Sequence, residues 1–347
     1  MRFNAIFKNF HSDIGIDLGT SNTLIYIKGK GIVVNEPSVV AINTRTDQIL
    51  AIGEDAKKMV GKTPGHIITS KPLVEGIISD FEVAEQMLKY FINKFISSKL
   101  GFIINKPRIV IGIPLDVTEV EKKAVEDAAL SAGAKEVFLV EEPMAAAIGA
   151  RLPVQESTGN MIVDIGGGTT QIAVISLSGI VAWKSLRLAG DTLNKNIIQY
   201  IRENFNLLIG DATAEKVKLA IGSVFPGDRP VEMAVSGRDL INGLPKEIVI
   251  TDGEVREAIA RSVKTIVSNI KSTIEATPPE LVADIYKRGI VLAGGGALLR
   301  GLDALVRQET RIPVAVIDDP LTCVVRGTGL ILEDVENLKD VLLPSTR

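Results

Sequence analysis

The sequence predicts an α/β protein built from two related lobes, and three observations carry that expectation. Strand-like apolar runs alternate with helical ones along the chain. A short, acidic, glycine-rich turn occurs twice, in matching register. The elements that follow each copy then recur in the same order, which marks an internal duplication.

The chain opens on Met-Arg-Phe-Asn-Ala-Ile-Phe-Lys-Asn-Phe. Phe3, Ile6, Phe7 and Phe10 fall at i, i+3, i+4 and i+7, one helical stripe, with Arg2 and Lys8 off it. Such a stripe suits a helix packed on the body, a disordered tail, or a basic amphipathic anchor at a membrane surface.

The first copy of the turn is Asp17-Leu18-Gly19-Thr20-Ser21-Asn22-Thr23, flanked by Ile14-Gly15-Ile16 and Leu24-Ile25-Tyr26-Ile27. A further strand is expected at Ile32-Val33-Val34, then a mixed region to about residue 76. Asp80 caps a long amphipathic helix carrying Val83, Met87, Leu88 and Phe91. That helix leads to an apolar tip, Phe102-Ile103-Ile104, which reads as core or as a second membrane contact. Residues 108–114 form a strand and turn. Thr118 and Glu121 make a capping box that opens a helix ending near Gly133. Val137–Val140 is a strand, and Glu141-Glu142-Pro143 leads into the small-residue helix Met144–Ala150.

The second copy is Asp164-Ile165-Gly166-Gly167-Gly168-Thr169-Thr170, between Met161-Ile162-Val163 and Gln171-Ile172-Ala173-Val174-Ile175. A more polar region follows, roughly 188–251, then a helix from Gly253 to Ala276. The strand Gly289–Ala293 runs into Gly294-Gly295-Gly296 and a helix at Leu298–Gln308, matching the strand, turn and helix of 108–132. Asp319-Pro320 opens a last helix to about Leu330, matching that after Glu142-Pro143.

Composition narrows the function. A net charge of -3 and 4% aromatic residues argue against a nucleic-acid partner. Cys323 is the single cysteine, and His11 and His66 are the two histidines. A disulfide, a thiolate cluster and a multi-histidine metal site are therefore not expected, which fits a reducing cytoplasm. No apolar run is long enough to span a bilayer, and Lys8 and Asn9 interrupt any signal-peptide core.

The paired turns point to phosphate. Backbone N–H groups of glycine-rich turns approach phosphate oxygens because no Cβ intervenes. Gly166, Gly167 and Gly168 make such a nest, and Thr169, Thr170, Thr20, Ser21 and Asn22 add side-chain donors. Asp17 and Asp164 repel phosphate, so their expected role is to hold a hydrated Mg²⁺. Either turn taken alone also reads as an ordinary hairpin. Gly294-Gly295-Gly296 suits either a packing turn or backbone lying flat on a nucleoside, with the following helix N-terminus favouring an anion. Glu215 and Lys218 share a helical face, suited to ribose and base or to a solvated ion pair. Gly61-Lys62-Thr63 is similar to the end of a P-loop, but its preceding glycine, Gly53, is too far away.

These residues resemble the actin, sugar kinase and DnaK-type ATPase superfamily, and within it the bacterial actins that determine rod shape. The resemblance spans essentially the whole chain and is densest at Asp13–Thr23, Lys30–Val39, Glu141–Gly149, Ser157–Thr170 and Gly289–Gly301. It implies an actin-like duplicated two-lobe ATPase fold, each lobe with a large and a small subdomain around a central nucleotide cleft. Lobe I would take 11–150 plus 320–347 (small subdomain about 42–80), lobe II 151–319 (small subdomain about 188–251), and 1–10 the membrane-binding segment. It matches Asp17–Thr20 and Asp164–Gly168 to two phosphate loops and Gly294–Gly296, with Ala297, to an adenosine loop. Thr213-Ala214-Glu215 with Lys218 matches a nucleoside clasp. Glu142 matches the residue that positions the hydrolytic water, which makes Glu142, Thr170 and Gln171 the candidate catalytic set, with Gly19 among the ATP contacts.

The implied protein binds ATP and Mg²⁺ and polymerises into antiparallel double filaments on the inner membrane face. There it meets the cell-wall elongation machinery. Gln171 departs from the family, which usually carries an acid after the second threonine; an amide there hydrogen-bonds but takes no proton, predicting slow hydrolysis. Asn194-Lys195-Asn196 also replaces a typically acidic stretch. A small-molecule kinase of the same superfamily is the alternative, but no general-base carboxylate stands out for it. A chaperone ATPase would append a substrate-binding domain.

Overall fold

The computed structural model describes residues 13–96, 106–227 and 229–344. Phe3, Ile6, Phe7, Phe10, Phe102, Ile103 and Ile104, the expected membrane contacts, lie outside them. Along the chain run β1 (Ile14–Leu18), β2 (Asn22–Ile27), β3 (Gly31–Pro37), β4 (Val40–Asn43), β5 (Gln48–Ile52) and α1 (Glu54–Met59). Then come β6 (Ile67–Ser70), β7 (Leu73–Val74), β8 (Ile77–Ile78), α2 (Phe81–Ile96), β9 (Arg108–Ile113), α3 (Glu119–Ser131), β10 (Glu136–Glu141) and α4 (Glu142–Gly149). The next are β11 (Asn160–Ile165), β12 (Thr170–Ser176), β13 (Gly179–Leu186), α5 (Gly190–Phe205), β14 (Leu207–Leu208) and α6 (Asp211–Ile221). The chain continues through β15 (Glu232–Asp239), β16 (Pro245–Thr251), α7 (Asp252–Glu275), α8 (Pro279–Arg288) and β17 (Ile290–Ala293). It closes with α9 (Leu302–Thr310), β18 (Val314–Val316) and α10 (Cys323–Glu333).

The chain divides into two compact units, one of residues 1–156, 177–179 and 322–347, the other of 157–176 and 180–321. In the first, five strands lie in the order β10-β9-β1-β2-β3. β1 runs parallel to β9 and antiparallel to β2. Side chains of a strand alternate between faces. Ile14, Ile16, Ile109 and Ile111 therefore face one buried cluster, which takes in Met87, Leu88 and Phe91 of α2 and Ala128 and Ala129 of α3. The opposite face is kept shallow for α10. A Cβ on Gly15 would meet Thr328 at 2.5 Å, and one on Gly112 would meet Val324 at 3.1 Å. α4 packs on α10 at closer range still, where a Cβ on Gly327 would collide with the Ala145 carbonyl. A smaller sheet, β5-β4-β6, packs against α1.

The second unit repeats the large sheet: read from its other edge, the order is β18-β17-β11-β12-β13. β11 is parallel to β17 and antiparallel to β12, as β1 is to β9 and β2. Met161, Val163, Ile165, Ile172, Val174, Ile290 and Leu292 face one core with α5, α6 and α7. The polar region after residue 188 is as regular as the rest, because Leu193, Ile197 and Ile201 bury the inner stripe of α5.

Helix starts follow local chemistry. The Asp80 carboxylate accepts from Val83 N at 3.1 Å, and Thr118 with Glu121 closes both bonds of its capping box. A second complete box, Thr251 with Glu254, opens α7. One boundary differs from expectation. After Gly294 the chain makes a short 3-10 turn, Gly295–Leu298, then extends at Leu299, and α9 begins at Leu302 behind Gly301 at φ 81°. The triple glycine therefore does not abut a long helix, and its anion-favouring N-terminus is lost.

Candidate phosphate sites

Each unit places one of the duplicated turns at the carboxyl ends of its parallel strands, the edge where open α/β sheets hold ligands. In the first unit Asp17 is the next-to-last residue of β1, directly beside Gly112 on β9. Period-two alternation puts both on the face of α4 and α10. Glu142, 7% exposed, begins α4 just beyond β10, and its Cγ would lie 3.5 Å from a Cβ on Gly112. Asp17 and Glu142 thus belong to one sheet edge although 125 positions separate them (142 − 17). Burial raises the pKa of the neighbouring Glu141, with Lys122 acting against the rise.

The turn itself is braced from behind. Ser38 Oγ donates to Gly19 O at 2.6 Å and exchanges a hydrogen bond with Thr23 Oγ1 at 2.9 Å. Ser38 N donates to Ser21 O at 3.0 Å. Thr20 Oγ1 accepts from Gly76 N at 2.9 Å, and Asn22 donates to Asn35. Thr20, Asn22 and Thr23 are therefore already engaged within the unit. Gly19 has a steric reason of its own, since a Cβ there would sit 2.8 Å from Asn22 O.

In the second unit Asp164 is the next-to-last residue of β11, paired with Gln171 on β12 and Ala293 on β17. Gly166 N closes the turn on Thr169 O at 2.9 Å. The carbonyls of Gly166 and Gly167 accept from Gly190 N at 3.2 Å and Asp191 N at 2.8 Å, the first residues of α5. Among the described residues no carbonyl accepts from the N–H groups of Gly167, Gly168 or Thr169. With its carbonyls held on the α5 side, the turn offers N–H donors suited to an anion. Thr170 is fully buried and donates to Leu188 O at 2.7 Å. Gln171, 1% exposed, donates from Nε2 to Ser185 Oγ on β13 at 3.1 Å.

Asp164 is 7% exposed, and burial pushes its carboxyl up to about 6. A nearby cation would relieve that cost, and carboxylate oxygen is a hard donor suited to a hydrated divalent ion. Gly294 explains how the carboxylate fits. At φ 75° it lies where a Cβ would collide with Asp164 Oδ1 and Ile165 O, and a Cβ on Gly296 would collide with Ile165. Two of the three glycines are thus accounted for by close packing on β11. Ala297 is buried. Glu215 is half-buried on α6, and Lys218 reaches Gly190 O at 2.9 Å.

The structure adds Ser38, Gly76, Ser185, Leu188 and Gly190 to the residues around the turns. Gly190-Asp191 at the start of an amphipathic run was a readable signal. The others are isolated residues whose role appears only on folding. Among the described residues no helix is long and apolar enough to cross a membrane.

The chain is similar to known proteins along almost its whole length. The family model described as MreB/Mbl protein matches residues 11–340. The chain is 51% identical over 341 residues to the cell shape-determining protein MreB of Escherichia coli K12, covering 96% of each chain. It is 50% identical over 329 residues to the cell shape-determining protein Mbl of Bacillus cereus, covering 95% of this chain and 98% of that one. Among solved structures, MreB5 of Spiroplasma citri bound to ADP matches with a TM-score of 0.89 at 38% identity, over 94% of this chain and 98% of that one.

Proposed function

Since the chain belongs to the MreB/Mbl family, with an actin-like fold and a cytoskeletal role, we propose that it binds ATP, polymerises and determines cell shape. The observation that carries the reading is the duplicated, braced turn with an aspartate at its head. In each unit the turn's carbonyls are tied down, and in the second unit its N–H groups remain for an anion. The solved relative that holds ADP supports a nucleotide as that anion.

On this reading Gly19 to Asn22 and Gly166 to Thr169 would take phosphate oxygens, and Asp17 and Asp164 are the residues that would hold Mg²⁺. The ion supplies charge neutralisation at the phosphates. Glu142 orients the water for slow hydrolysis, further slowed by the amide of Gln171. Gly294 to Ala297 and Glu215 meet the nucleoside. Filaments form by self-association, in an antiparallel pair, and serve wall synthesis at the inner membrane surface through the Phe3–Phe10 stripe and Phe102–Ile104. Binding of ATP would favour one subunit shape and hydrolysis would relax it.

Sedimentation and electron microscopy with ATP, Mg²⁺ and lipid vesicles test the proposal. Filaments that appear with ATP and disappear with Mg²⁺ chelation are expected. Monomers that persist at high concentration with lipid present would sink it.

A further inference from the structure

Lys218 faces the phosphate turn indirectly. Its ammonium donates to Gly190 O at 2.9 Å. Gly190 is the first residue of α5, and its own N–H, with that of Asp191, holds the carbonyls of Gly166 and Gly167. The geometry is tight at this point, since a Cβ on Gly190 would lie 3.3 Å from both Lys218 Nζ and Gly166 O.

The electrostatics are unusual. A cation beside a helix N-terminus opposes the macrodipole, whose positive end lies there. Asp191 in the same first turn supplies part of the compensating charge. An anion on the adjacent turn would supply more. Lys218 also lies in the last turn of α6, whose C-terminal end favours a cation, so the two helix ends act on it in opposite senses and a phosphate on the adjacent turn adds to its stabilisation.

We propose that Lys218 is a positioning residue for the phosphate turn: it fixes Gly190, and Gly190 with Asp191 sets the turn's carbonyls and so aims its N–H donors. The inference rests on the reading of that turn as an ATP site. It differs from a clasp on the nucleoside, because the affected part of the ligand is the phosphate chain.

The test compares the wild-type chain, Lys218→Met, Gly190→Ala and the double variant, with affinities for ATP, adenosine and inorganic tripolyphosphate read by displacement of a fluorescent ATP analogue. Lys218→Met is expected to weaken ATP and tripolyphosphate alike by about tenfold, the order of one charge-assisted hydrogen bond, and to leave adenosine unchanged. Losses for ATP in Lys218→Met and Gly190→Ala are expected to be non-additive, because both act on one link. Weakened adenosine with unchanged tripolyphosphate overturns the proposal in favour of nucleoside contact. Additive losses overturn it in favour of direct phosphate contact. If tripolyphosphate does not compete even on the wild-type chain, the double-variant cycle decides. Should Lys218→Met fail to fold, Lys218→Gln replaces it. Absence of ATP binding by the wild-type chain refutes the ATP reading itself.

Discussion

Gln171 stands directly across the antiparallel ladder from Asp164, on the same face of the sheet and almost wholly buried. The corresponding pair in the first unit is Leu24 and Asp17. Each head aspartate thus faces an uncharged neighbour, one aliphatic and one an amide anchored by Ser185.

That pairing makes Gln171→Glu informative. Directly opposed side chains lie with Cβ atoms about 5 Å apart, and like charges there destabilise. Burial already holds the Asp164 carboxyl near about 6, so a second acid shares an unfavourable site. The unfolding midpoint of Gln171→Glu is expected to fall at pH 8 and to recover toward wild type near pH 5, where the site carries less charge. Phosphate release should rise, since a carboxylate can take a proton. Equal release from the two chains would show that position 171 does not limit hydrolysis.

Asp164 carries a pH signature of its own. Burial pushes its carboxyl in the folded chain up to about 6 from the ordinary 3.8. The folded state therefore binds more protons than the unfolded state between those values, and stability falls as pH rises through that window. The loss amounts to at most about 3 kcal/mol at neutral pH. Asp164→Asn should flatten the fall and raise the melting temperature of the ligand-free chain at pH 7.5, while abolishing the stabilisation given by Mg²⁺-ATP. Calorimetry across pH 4–8, with and without ligand, checks both parts.

Gly294→Ala tests the packing account of the triple glycine. The substitution forces a Cβ into Asp164 and Ile165 O at a backbone φ of 75°. A loss of about 2–4 kcal/mol in urea unfolding is expected. Gly295→Ala should cost much less, since its Cβ would meet only the flexible end of Leu321, at 3.0 Å. Similar losses at both positions would contradict the account.

Deleting residues 1–10 is expected to weaken flotation with anionic vesicles while leaving the thermal midpoint unchanged. The stripe of Phe3, Ile6, Phe7 and Phe10, with Arg2 and Lys8 beside it, would supply the apolar and electrostatic parts of such binding. Undiminished flotation would assign membrane contact elsewhere in the chain.

The large sheets were legible because their signals are local. Short apolar runs leading to Asp17 and Asp164, buried on both faces of their sheets, mark β1 and β11 as central strands. The turns were legible because glycine and hydroxyl residues stand side by side in them. What supports the turns was not. Ser38 reaches Gly19 across a strand, and Gly190 reaches Gly166 from a helix that starts over twenty residues later. Hydrogen bonds of that span depend on the finished packing and leave no period in the sequence. The start of α9 was misplaced for a related reason. Gly294 and Gly296 resemble a helix-entry turn, whereas their smallness serves contact with Asp164 and Ile165.

The bonds from Gly190 N and Asp191 N to the turn have a dynamic consequence. An amide exchanges its hydrogen with solvent when its bond opens, and bonds that open together share one opening free energy. These two amides are the first N–H groups of α5, which in most helices exchange freely because no preceding carbonyl serves them. Here they should be protected for as long as the turn stays attached, and phosphate should slow them further. Their exchange therefore reports, residue by residue and without any enzymatic assay, how firmly α5 holds the turn of Gly166 and Gly167.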